Sequence, residues 1–253
     1  MARKLGKHLG VVEDPRTLSL ADYVQAPLAA GAEANLPLPP KTIHRTHRRD
    51  WEMFANDEFG DCTVAEVGNY LIAVSKDRVR LTDEQILAGY AKVCPGFDPE
   101  TGENDNGAYM LDVMRLWRRE GIGGHTVKAF VSVPLTRPYL SLAVYLFGGC
   151  LIGLRLPISA ASQEIWDVPE GGLHGPGKPG SWGGHAVPLE DAFTSGGNVV
   201  TWGERQRCTW DFLHAYCDEA YAVVAPEWYP TGSTPDGFNE AQLLADLAAL
   251  GKR

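Results

Sequence analysis

The hydrophobic period of this chain changes once, near its middle, and that change limits the folds open to it. In the first half, apolar side chains recur at helical spacing. Val64, Val67, Leu71 and Val74 stand 3, 4 and 3 residues apart; Ile86, Tyr90 and Val93 share a face; Met110, Val113, Met114 and Trp117 form a third stripe. A further helix is expected in PYLSLAVYLFGG, where Leu140, Ala143, Val144 and Phe147 are in register. The apolar runs then become short: CLIGLRLP, HAVPL, NVVTW and AYAVV, with the Gly/Pro-rich connection EGGLHGPGKPGSWGG among them. Such runs read as strands joined by turns. Helices followed by strands, rather than alternating with them, predict an α+β fold. A helical half would pack against a strand-rich, barrel-like half, with a cleft between them.

The same pattern divides the chain. Residues 1–49 have weak periodicity and contain LPLPP, which suits an extended connection, so they read as a basic arm separate from the core. Residues 50–130 form the helical half and 131–225 the strand-rich half. Residues 226–253 form a tail whose helix carries Leu243, Leu244, Leu247 and Leu250 on one side. Helix ends are marked by the Thr82/Gln85 capping box, by Gly121 and by Thr209.

Charge follows this division. Of a net −9, residues 1–49 hold 8 Lys/Arg against 4 Asp/Glu, and the remainder 15 against 28. An acidic body argues against nucleic acid as a partner, and HRTHRR at 44–49 reads as a solvated run. The arm and the tail helix are the candidate contacts for a protein partner. No apolar run reaches membrane-spanning or signal-peptide length, which points to a soluble chain in the cytoplasm. Cysteines 62, 94, 150, 208 and 217 are odd in number and include no CxxC pair, so neither a disulfide framework nor a metal site is expected.

Cys62 is the cysteine with a chemical setting. It opens the first amphipathic stretch, after Gly60 and Asp61, with Asp61 and the Thr63/Glu66 pair as capping candidates. Free N–H groups and the positive end of the helix dipole would favour its thiolate. A thiol nucleophile needs a base, and His185 stands at the start of a strand after a glycine-dense loop, where an imidazole can project into a cleft.

In that order the chain resembles the papain-like cysteine peptidases over residues 50–224. The resemblance rests on an amide residue, Asn56, six positions before Cys62; on LTDEQIL; on Asn106-Gly107-Ala108-Tyr109, similar to an N-G-G-Y stretch; on His185-Ala186-Val187; and on Thr201-Trp202-Gly203, similar to S-W-G. It implies Cys62 as nucleophile, His185 as base and then acid, and Asn56 with the Cys62 N–H as oxyanion donors. Trp202 would shield His185, and Asn106 and Gly107 would bind substrate backbone. Departures are equally specific. Phe59 and Asp105 stand at both ends of the family's disulfide, Val200 stands where an asparagine would orient the histidine, and Pro188 would interrupt the strand. Asn198, Thr201, a backbone carbonyl or water are the replacements open for orienting His185, Asn198 being favoured among side chains.

The resemblance implies a cofactor-free, metal-free thiol hydrolase that cleaves an amide bond in a peptide, a protein or peptidoglycan. The alternative is a papain-like fold kept as a binding or assembly module with an idle catalytic pair; a transferase using the same thioester chemistry is a weaker third.

Overall fold

The computed structural model describes residues 3–24, 42–43, 50–229 and 238–250. LPLPP and HRTHRR lie outside them. The helical half is built by α1 (Cys62–Val74), α2 (Asp83–Val93) and α3 (Met110–Arg119). Their apolar stripes meet in one core in which Val67, Leu71, Ile86, Tyr90, Met114 and Trp117 are buried. Full burial of such side chains stabilises by about 1.5–3 kcal/mol each, before conformational entropy is set against it. α2 opens on the expected capping box: Gln85 N–H donates to Thr82 Oγ1 at 3.3 Å and Thr82 N–H to Gln85 Oε1 at 2.9 Å. α1 does not. Asp61 is its N-cap residue but makes no side-chain cap bond, and Thr63 Oγ1 and both Glu66 carboxylate oxygens have no hydrogen-bond partner. All three residues are buried, and Asp61 is engaged by Asn56 instead.

The strand-rich half is one mixed sheet in the order β2-β8-β3-β5-β6-β7-β4, with β1 (Thr42–Ile43) beside β5. Its strands are β2 (Ala129–Ser132), β3 (Cys150–Leu156), β4 (Ile165–Trp166), β5 (Gly183–Phe193), β6 (Gly196–Thr201), β7 (Glu204–Thr209) and β8 (Cys217–Val224). Alternation along β3 and β5 sends Leu151 and Ala186 toward the helical core and Ile152, Leu154, Val187 and Leu189 into a second core. α4 (Arg137–Phe147) and α5 (Trp210–Tyr216) close that second core, and Thr209 caps α5 as expected, accepting from Phe212 N–H at 3.0 Å. α1 packs across β5, which brings the cysteine helix against the histidine strand.

Two expectations need correction, and one strand has no sequence signal. Pro188 does not interrupt β5, which runs on to Phe193 with Pro188 opposite Leu151. A register shift between Leu189 and Asp191 follows at once, so the ladder toward β6 is already irregular where a donor is missing. β7, ERQRCT, has no apolar alternation to announce it because its outward residues are exposed. It is folded back onto β6 by the positive φ of Trp202 and Gly203. Finally, residues 3–24 are not separate from the core. Leu20, Tyr23 and Val24 are buried in the strand-side cluster, Ser132 N–H donates to Leu18 O, and Tyr23 Oη bonds Asp246 of α6 (Glu240–Leu250). Three scattered apolar residues give no period to read, yet they suffice to seat a segment on an existing surface.

Candidate active site

The α1/β5 crossing puts Cys62 and His185 on the walls of one crevice, with Asn56, Glu66, Val200, Thr201 and Trp202 among the other lining residues. It has a volume of about 10 Å³, room for about one water. The loop before α1 is shaped by Phe54 and Ala55, consecutive non-glycine residues at positive φ. Phe54 is held there by packing: its ring lies where a side chain on Gly68 of α1 would be.

His185 is 1 % exposed. Its Nε2 meets Thr201 Oγ1 at 2.6 Å, and its Nδ1 has no hydrogen-bond partner. A ring that donates from Nε2 to the threonine keeps the Nδ1 lone pair free to accept a proton. Trp202 stacks on the ring with centroids 4.4 Å apart and planes 12° from parallel. Asn198 does not reach the histidine, because its Nδ2 donates to Asp191 at 2.8 Å. Val200 is buried on the helical side. Thr201, just before the positive-φ turn at Trp202 and Gly203, meets the ring in place of Asn198.

Asn56 is in place but engaged. Its amide donates to Phe59 O at 3.0 Å and to Asp61 Oδ1 at 2.9 Å, which uses both N–H bonds. The Cys62 N–H, in the first turn of α1, has no acceptor within the helix. At the two ends of the absent disulfide, Asp105 accepts from Gly60 N–H at 3.1 and 2.9 Å and from Tyr90 Oη at 2.6 Å. Hydrogen bonds therefore tie the loops that the cross-link would tie, and all five cysteines are free.

The N-terminal segment, residues 3–8, passes beside Cys62, bridging to Ala108 and Gly184 at Lys7. Lys7 N–H donates to Gly184 O at 3.2 Å, Ala108 N–H to Gly6 O at 2.8 Å, and His8 N–H to Ala108 O at 3.1 Å. Gly6 lies against Cys62, whose sulfur is in hydrogen-bond reach of the Gly6 and Ala186 backbones. The fit leaves no room for side chains: a Cβ on Gly6 would sit 1.6 Å from Gly60 O, and one on Gly107 2.1 Å from Gly6 O. Backbone pairing is thus made by Ala108. Gly107 N–H goes to Tyr90 Oη, and Asn106 is exposed with its amide on Asn104 O. Of the NGAY stretch it is thus Ala108, and not the expected Asn106 or Gly107, whose backbone pairs with the segment.

Under this cover the pair is uncharged. Burial pushes Cys62 up to about 12, with Asp61 and Glu66 adding to the rise against the backbone hydrogen bonds. Burial also holds His185 down at about 3, helped by the Arg3 guanidinium. The expected thiolate is therefore not the state of this closed cleft: desolvation outweighs the helix terminus. Asp61 and Glu66 are themselves raised well above the usual carboxylate range by burial.

A helical domain and a strand-rich domain that meet at a cysteine helix and a histidine strand define the papain-like cysteine protease fold. Solved structures agree. Xylellain, a cysteine protease from Xylella fastidiosa, superposes with a TM-score of 0.65 at 11 % identity, over 89 % of this chain and 98 % of that one. A procathepsin B from Trypanosoma congolense superposes with a TM-score of 0.52 at 11 % identity, over 88 % of this chain and 87 % of that one. No family model matches the sequence, and no curated protein does. Among the described residues no helix is long and apolar enough to cross a membrane.

Proposed function

We propose that the protein is a papain-like thiol hydrolase that cleaves an amide bond in a peptide, a protein or peptidoglycan, and that it is latent while residues 3–8 fill its cleft. The observation that carries this reading is the His185 ring, held at Nε2 by Thr201 and stacked on Trp202, with its unpartnered Nδ1 in the same crevice as Cys62. In that arrangement Nδ1 takes the thiol proton as Cys62 Sγ attacks the carbonyl carbon. The same proton passes to the leaving amine as the C–N bond breaks, and water then hydrolyses the thioester. The Cys62 N–H, and the Asn56 amide once it leaves Asp61, would hold the oxyanion.

The filled cleft and the unpartnered carboxyl of Glu66 near the thiol favour the second reading, an idle fold used for binding or assembly. A pool of internally quenched peptides incubated with the Gly6→Ala chain separates the two. Cleavage that Cys62→Ser abolishes supports the hydrolase. No cleavage, with Cys62 alkylated no faster than Cys217, supports the idle fold.

A further inference from the structure

Lys7 is the one residue of the cleft segment whose side chain is taken fully inside. Its side chain is 0 % exposed, and its Nζ lies 3.0 Å from both Asp218 oxygens, 3.1 Å from Glu219 Oε1 and 3.0 Å from the His8 carbonyl. Consecutive residues of a strand normally point to opposite faces, so Asp218 and Glu219 should not meet at one ammonium. They do because β8 is irregular here. Gly153 pairs with Glu219 and Leu154 with Cys217, which leaves Asp218 as the extra residue of a bulge. Tyr221 Oη holds Glu219 Oε2 at 3.1 Å. Gly153 supplies the floor: a Cβ there would lie 2.3 Å from Lys7 Cε and 2.7 Å from Glu219 Cγ. A third carboxyl, Glu66, is 2 % exposed, has no partner for either oxygen, and is in electrostatic contact with both Lys7 and Glu219.

This pocket is one residue along the groove from the backbone position that faces Cys62. An extended chain pairing with Ala108 and Gly184 puts a side chain into it. Given the hydrolase reading above, on which this rests, we propose that the bulge-built pocket of Gly153, Asp218 and Glu219 is the subsite that selects a lysine-like, primary-ammonium side chain of the substrate, with Lys7 occupying it in the closed chain. A neutral side chain of equal length would strand two desolvated carboxylates without a cation, and that is the source of selectivity. Asp218 and Glu219 also line a cavity of about 420 Å³ between residues 11–17 and the β2/β8 edge.

The test uses the full chain carrying Lys7→Ala and Cys62→Ala, with fluorescent peptides that differ only in lysine or norleucine, followed by anisotropy. The expected result is binding of the lysine peptide at least ~10-fold tighter, with the ratio falling to about 2-fold or less when Asp218→Asn and Glu219→Gln are added. Equal affinities, or a norleucine preference, overturn the subsite. If Lys7→Ala does not fold alone, recovery of folded protein with n-butylammonium chloride but not with n-butanol supports the pocket, and no recovery overturns it. Binding does not pass through the thiol. A Lys7→Ala chain with Cys62 intact that binds the lysine peptide but never cleaves it would sink the hydrolase and leave the subsite standing.

Discussion

On the helical wall of the cleft, Cys62 is raised to about 12 by burial, and the next contributions to that rise come from Asp61 and Glu66, which belong to the helix terminus itself. On the strand wall, His185 is lowered to about 3 by burial, and the next cause is Arg3, which belongs to the covering segment. Burial is the leading cause on both walls, but only the histidine's charged neighbour belongs to residues 3–8. Withdrawing residues 3–8 would rehydrate both groups and remove the cation beside His185. The carboxyls beside Cys62 would stay. The two walls therefore differ in what can be switched, and the cysteine side keeps a built-in restraint.

The largest effect expected from breaking this arrangement is the loss of the sulfur. Cys62→Ala should remove all peptide cleavage and all alkylation at this position in the opened chain, while the melting temperature changes little. Loss of several kcal/mol on this change would mean that Cys62 is a packing residue and that the two walls have no shared chemistry.

Next in size is opening the cover. Gly6→Ala places a Cβ 1.6 Å from Gly60 O, backbone that cannot yield, so the segment should leave the groove. Each unit by which the thiol then falls from about 12 toward its ordinary value raises the thiolate fraction tenfold at neutral pH. Iodoacetamide should accordingly label Cys62 at least ~10-fold faster in Gly6→Ala than in the parent, with mass spectrometry locating the adduct. An unchanged rate would show that the carboxyls of α1, rather than the cover, set the thiol.

Smaller still is the effect of the histidine's partner. Thr201→Val keeps the shape and removes the acceptor, at a cost of about 1 kcal/mol in stability. In the Gly6→Ala background it should slow alkylation several-fold and shift the low-pH limb of its pH profile, whereas Asn198→Ala leaves that limb where it is. The reverse outcome would return the orienting role to Asn198.

The smallest expected effect tests the restraint on the cysteine side. Burial holds Glu66 above its ordinary value, so the folded state binds its proton more tightly than the unfolded chain does. Its contribution is complete below the unfolded pKa, near 4.5, and is lost as pH rises through the folded value. Glu66→Gln should match the parent at pH 4 and melt higher at pH 8, by ~2–4 °C if ~1 kcal/mol is recovered. No gain at pH 8 would mean that Lys7, its electrostatic neighbour, compensates the ionised carboxylate.

The residue pattern makes legible the α+β class, the helical and strand-rich halves, and the places of Cys62 at a helix start and His185 near a strand start. Local rules suffice for these: helical spacing at Val64, Val67 and Leu71, the Thr82/Gln85 and Thr209 caps, and short apolar runs after residue 150. It also marked the paired replacement of the disulfide at Phe59 and Asp105. The other features are legible only in the folded chain, because each depends on which groups packing brings together. Thr201 displaces Asn198 through a turn two residues long. Asp61 turns to Asn56 instead of capping α1. Lys7 meets Asp218 across 211 positions and a β-bulge. The charge state of Cys62 and His185 is least legible of all, since a helix terminus is a local property and desolvation is not. Burial, with Asp61 and Glu66 beside it, pushes the Cys62 thiol up despite its place at a helix start.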